Sequence, residues 1–107
     1  MSKNFLDITD ADLTSLIQAN DLVLVDFWAV WCGPCVRFGP VIESLADLYK
    51  ERVVVCKLNI DEHSSATTYK VKTIPTVIIF YKGIEVKRLI GSVPLETLQE
   101  ILDSYLP

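Results

Sequence analysis

Cys32 and Cys35 stand three positions apart around Gly33-Pro34. Two cysteines at that spacing can clamp a metal, form a fixed crosslink or exchange electrons. A structural zinc site wants four ligands, usually from two such pairs. The other candidates are Cys56 and His63, and Cys56 lies within the apolar run VVVC. The ligand count therefore argues against a metal. A permanent disulfide closing so short a loop constrains little chain entropy. Reversible dithiol–disulfide chemistry is the reading that remains, and it needs one sulfur able to ionise.

The flanking elements supply that. LVLVDFWA, residues 22 to 29, is a nearly continuous apolar run, as in a strand buried on both faces. Residues 34 to 49 have helical spacing, with Phe38, Val41, Ile42, Leu45, Leu48 and Tyr49 on one face. The pair thus falls between the end of a strand and the N-terminus of a helix. Unpaired N–H groups and the positive end of the helix dipole favour a thiolate there. With Phe38 at the centre of the buried stripe, Cys35 falls about 60° away and Cys32 about 120°. Cys32 is therefore expected to be the exposed, attacking thiol, and Cys35 the shielded, resolving one. Pro40 lies inside the helical pattern and should kink it.

Asp26 interrupts the apolar run VLVDFWA, where a charge is costly unless paired. It is either an outward-facing acid on an edge strand or a buried carboxyl whose pKa is raised by desolvation. In the second case it could accept the Cys35 proton, through water. Lys57 follows the apolar strand run VVVC. Cys56 reads as a small buried apolar residue, and His63, in DEHSS, as a solvated one.

The other elements follow from periodicity. Residues 10 to 19 read as a helix, with Thr9 and Asp12 forming a variant capping box. Val53 to Ile60 is a second buried strand, and 63 to 70 a short, weak helix or loop. Thr76–Tyr81 and Ile84–Ile90 flank Lys82-Gly83 as a β-hairpin. A last helix opens near Pro94, a good first-turn residue. A βαβ unit leading into a hairpin implies an α/β fold with a mixed sheet and helices on both faces.

The 107 residues suit one domain spanning 1–107, and half are apolar, enough for a core without disulfide staples. A net charge of −4 without a basic cluster argues against nucleic acid as a partner. No run of about 18 apolar residues points to a membrane span. MSKNFLDITD carries no signal-peptide core, and Met1 favours a cytoplasmic protein.

The chain resembles the thioredoxin family: VDFWAVWCGPC, KLNID, TIPT and GIEVKRLIG occur in the family's order and spacing. The resemblance covers essentially the whole chain. It implies the thioredoxin fold, a central mixed β-sheet flanked by four helices, and reduction of disulfides in protein substrates. It further implies electrons from a thioredoxin reductase, a monomer, no cofactor and no bound metal. It favours the buried, proton-accepting reading of Asp26, with Lys57 as the lysine near that acid rather than a solvated strand-end residue.

The Ile74–Pro75 bond would be trans on frequency alone, whereas the resemblance makes it the family's cis-proline. Trp31, Ile74, Pro75 and Gly91 are then the expected substrate-contacting surface, Trp28 packs beneath the site, and Pro75 keeps metal from the cysteines. Gly33-Pro34 is the reducing variant of the dipeptide; an oxidase or isomerase typically carries histidine there. A binding module that uses the fold without turnover is the other alternative, and the intact CxxC, Asp26 and Ile74-Pro75 argue against it. Two positions depart from the family pattern: Val36 replaces a common Lys or Arg and is placed outward, and Thr73 replaces a smaller residue. Both bear on partner choice and thiol pKa.

Overall fold

A strand that is apolar on both faces belongs in the middle of a sheet covered on both sides. The run Leu22–Trp28 forms such a strand, β2, buried until its last residue. In the computed structural model, which describes residues 4–107, β2 is central in a five-stranded sheet. The other strands are β1 (Leu6–Asp7), β3 (Val54–Asn59), β4 (Thr76–Tyr81) and β5 (Ile84–Ile90), in the order β1-β3-β2-β4-β5. β1, β3 and β2 run parallel; β4 is antiparallel to β2, and β5 to β4.

Four helices complete the chain: α1 (Asp10–Ala19), α2 (Gly33–Leu48), α3 (Ser65–Thr68) and α4 (Leu95–Tyr105). They cover the sheet in two layers. Leu13 and Ile17 of α1 pack with Val23, Val25 and Phe27 of β2 on one face. Phe38, Ile42 and Leu45 of α2 and Leu98 and Leu102 of α4 pack with Leu22 and Leu24 on the other. Alternation along β2 therefore puts Asp26 on the α2–α4 side. Lys57 is its register neighbour on β3 and Val77 on β4. This is the expected mixed sheet flanked by four helices.

Local chemistry explains the boundaries. The Thr9–Asp12 capping box forms reciprocally, with backbone-to-side-chain bonds of 3.1 and 3.2 Å. Lys82 and Gly83 both have positive φ, 51° and 83°, as a two-residue type I′ hairpin turn requires. Pro94 is the N-cap of α4, one step earlier than a first-turn position. The α2 helix continues unbroken through Pro40, so the proline removes one ladder bond without ending the helix. Leu48, expected on the buried stripe, is 49% exposed, because the buried stripe runs through Ile42, Leu45, Ala46 and Tyr49 and leaves Leu48 at its edge. The two-residue β1 was not legible, being too short to carry a period.

Candidate active site

β2 ends at Trp28, and the chain turns through Ala29, Val30 and Trp31 into α2. Cys32 is the N-cap of that helix, with extended backbone. Its N–H donates to the Ala29 carbonyl at 3.2 Å, which tightens the turn. Gly33 and Pro34 then open the helix; Pro34 lacks an N–H at a place where the N–H would have no helical partner. The Cys35 N–H points at Cys32 Sγ at 3.2 Å.

Cys32 and Cys35 are joined as a disulfide, with Cα atoms 5.2 Å apart. Cys35 is 1% exposed and Cys32 6%. The order matches the helical phase, but Cys32 is far less open than "exposed" implied. As N-cap it turns its sulfur toward Cys35, and Ala29, Trp28, Ile60 and Ile74 pack around the pair. The sulfur that accepts the helix N–H is thus also the less covered one.

A second loop faces the pair. Ile74–Pro75 is cis, as the family resemblance and not bond frequency indicated. Ile74 is half-buried against the cysteines, and its carbonyl oxygen lies 3.9 Å from Cys32 Sγ. The loop is tied at its far side, where the Gly91 N–H donates to the Pro75 carbonyl at 2.8 Å. Gly91 has φ +89°, a left-handed conformation that side chains resist. The Thr76 hydroxyl donates to the Thr73 carbonyl, closing the loop on itself.

Trp31 is 66% exposed, and its Nε1–H donates to Asp61 Oδ2 at 2.6 Å. Asp61 was missed in the sequence; a carboxylate in a polar stretch carries no local signal, although it ends the quoted KLNID. Trp28 is half-buried beneath the pair. Val30 and Val36, 66% and 56% exposed, extend the apolar surface from Trp31 to the outer face of α2.

Asp26 is fully buried, which removes the edge-strand reading. Neither carboxylate oxygen has a protein hydrogen-bond partner among the described residues. Desolvation pushes its pKa up to about 7, against the opposing pull of Lys57. Lys57 is half-buried, with Nζ 4.2 Å from the Trp28 ring centroid. The carboxyl therefore titrates where a proton acceptor is useful at neutral pH.

Cys56 lies on the α1–α3 side of the sheet, apart from the pair's cluster, with Sγ 3.4 Å from the Leu24 carbonyl oxygen. Burial, then the Asp26 charge, pushes its thiol pKa far up. His63 is half-buried rather than solvated and lies 3.8 Å from Asp10. Among the described residues no three His, Cys, Asp or Glu side chains are grouped to hold a metal. No described helix is long and apolar enough to cross a membrane.

The chain matches the family model "Thioredoxin" over residues 4–104. It is 45% identical over 100 residues to a thioredoxin of Staphylococcus aureus, covering 92% of this chain and 95% of that one. A single-site mutant of a thioredoxin from Halobacterium salinarum superimposes with a TM-score of 0.88 at 33% identity, over 100% of this chain and 96% of that one. A Plasmodium falciparum thioredoxin gives 0.84 at 32%, over 94% and 98%. With a dithiol pair that closes into a disulfide at the mouth of α2, the chain belongs to the thioredoxin family and is a thiol–disulfide oxidoreductase.

Proposed function

We propose that this chain, read as one thioredoxin domain over 1–107, reduces disulfide bonds in protein substrates. Cys32 attacks and Cys35 resolves. The observation that carries the assignment is the Cys35 N–H directed at Cys32 Sγ across the helix N-terminus. A helix N–H aimed at Cys32 Sγ, together with the helix dipole, stabilises a thiolate at Cys32.

In the reduced protein, the Cys32 thiolate attacks one substrate sulfur. A mixed disulfide forms and the other substrate sulfur leaves as thiolate. Cys35 then loses its proton and attacks Cys32 Sγ. The second substrate thiolate leaves, and two electrons have passed from the dithiol to the substrate. Asp26 takes the Cys35 proton, which its pKa of about 7 allows at neutral pH. Lys57 keeps part of the Asp26 population ionised and so ready to accept.

The substrate segment lies along Trp31, Ile74, Pro75 and Gly91, where backbone groups of the proline loop can pair with an extended chain. Gly33 and Pro34 tune the pair, while Trp28 and Pro40 serve the scaffold. A thioredoxin reductase returns the electrons, and the protein works as a cytoplasmic monomer and electron carrier.

Insulin reduction coupled to a reductase tests the turnover, and Cys35→Ser tests the order of the thiols. Turnover by the wild type and substrates captured on Cys32 by the Cys35→Ser variant are expected. Capture by Cys32→Ser instead would reverse the two roles, and absence of turnover would remove the reductase reading.

A further inference from the structure

We infer that Phe5 is a positioning residue: its ring, together with that of Trp28, holds the Lys57 ammonium beside Asp26 and so sets how readily that carboxyl takes a proton. The inference rests on the role proposed above for Asp26, and it adds a residue from a segment remote in sequence.

Lys57 Nζ lies 4.2 Å from the Trp28 ring centroid and 5.3 Å from that of Phe5. Both fall within the reach of cation–π attraction, about 6 Å. A lysine has four flexible bonds and a strongly hydrated head, so an unheld ammonium turns to water. Two rings oppose that turn. The ammonium stays over the α2–α4 face of the sheet, where its register neighbour on β2 is Asp26.

The placement of Phe5 has its own cause. It directly precedes β1, which pairs in parallel with β3 so that Asp7 lies opposite Lys57. Both residues of β1 are exposed, so the strand adds nothing to the core through its own side chains. Its pairing delivers Phe5, which packs against the α2–α4 cluster. A two-residue strand with no buried side chain thus gains a purpose at the site.

Few other charges can act on Asp26. On this side of the sheet the titratable residues are Cys35 of α2, Tyr49 at its C-cap and, packed against the same cluster, Tyr81 of β4 and Tyr105 of α4; the charge that acts on Asp26 is that of Lys57. β4 places Val77 opposite Asp26. Cys56, next to Lys57, faces the other side with its thiol held neutral. Asp7 of β1, opposite Lys57 in register, is exposed. Lys57 is therefore the cation that lowers the Asp26 proton affinity, and whatever fixes Lys57 adjusts that affinity.

The test follows the Asp26 side-chain carboxyl carbon by NMR across pH in the full chain. Wild type is compared with Phe5→Leu, Phe5→Tyr and Lys57→Met. Loss of one cation–π contact leaves the ammonium in place about two- to fivefold less often. The Asp26 midpoint should rise in Lys57→Met, rise by less in Phe5→Leu, and stay in Phe5→Tyr, which keeps the ring. In the wild type, the Lys57 ε-methylene protons should resonate upfield of an unstructured lysine because they lie over two rings.

An Asp26 midpoint unchanged in Phe5→Leu overturns the inference. So do unshifted Lys57 ε protons in the wild type, a measurement that needs no variant to fold. Trapping by Cys35→Ser is independent of these titrations. Its failure would fall on the reading of the cysteine pair and leave the Phe5 result intact.

Discussion

Asp26 stands in a place that suits chemistry and harms stability. Its folded pKa is about 7 against an ordinary 3.8, because burial penalises the charge. Between these two values the native state binds the proton more tightly than the unfolded chain does. Stability therefore falls as pH rises from about 4 to about 7, and levels off above. The gap corresponds to a penalty on the order of 4 kcal/mol once the group is ionised. Asp26→Leu removes the ionisation, so urea unfolding of the oxidised protein should show a larger gain at pH 8 than at pH 5. The same variant should resolve mixed disulfides more slowly. At this scale the sequence was informative where a residue broke its surroundings: an acid in an apolar run, two cysteines at a turn. It was silent on Asp61, a polar residue among polar neighbours whose partner, Trp31, is 30 positions away.

Between residue and fold, the least self-sufficient element is α3. It is four residues long, and its N-cap Ser64 makes no capping bond of its own. Asp10, at the start of α1, caps it from outside. The N–H groups of Ser64 and Ser65 donate to the Asp10 carboxylate at 2.9 and 2.8 Å, and both serine hydroxyls bind it too. These bonds, that of the Ser65 hydroxyl first, hold the Asp10 pKa at about 2. A lowered folded pKa stabilises above the unfolded value of 3.8, and the gain disappears as pH falls toward about 2. Asp10→Ala should therefore lower the melting temperature at pH 7, and the difference should shrink by pH 2 in a thermal scan.

The long elements were legible because each carries several turns or alternations of pattern. β1 was not, and α3 was legible only as a short, weak helix or loop over 63 to 70, since a two-residue strand and a four-residue helix exist through partners contributed from elsewhere. The cis Ile74–Pro75 bond is of the same kind: only the family resemblance pointed to it.

At the scale of the molecule, the neighbours of β2 come from later in the chain on both sides, β3 and β4. No local pattern announces that order. It follows from the parallel crossover through α2 and the hairpin that returns on the opposite edge. The arrangement gives the site two unlike halves. Asp26 sits on the most enclosed strand, while Trp31 and the Ile74–Pro75 loop lie on connections at its end. Amide hydrogen exchange should separate the halves by rate. The β2 amides that pair with β3 and β4 can exchange only when the whole sheet comes apart, whereas amides of 29–31 and 72–74 need only a local opening. Mass-resolved exchange showing the two groups at equal protection would contradict this. The central place of β2 thus keeps the carboxyl proposed as proton acceptor in the part of the protein that opens least often, while the surface proposed to meet substrates is free to breathe many times within each global unfolding lifetime.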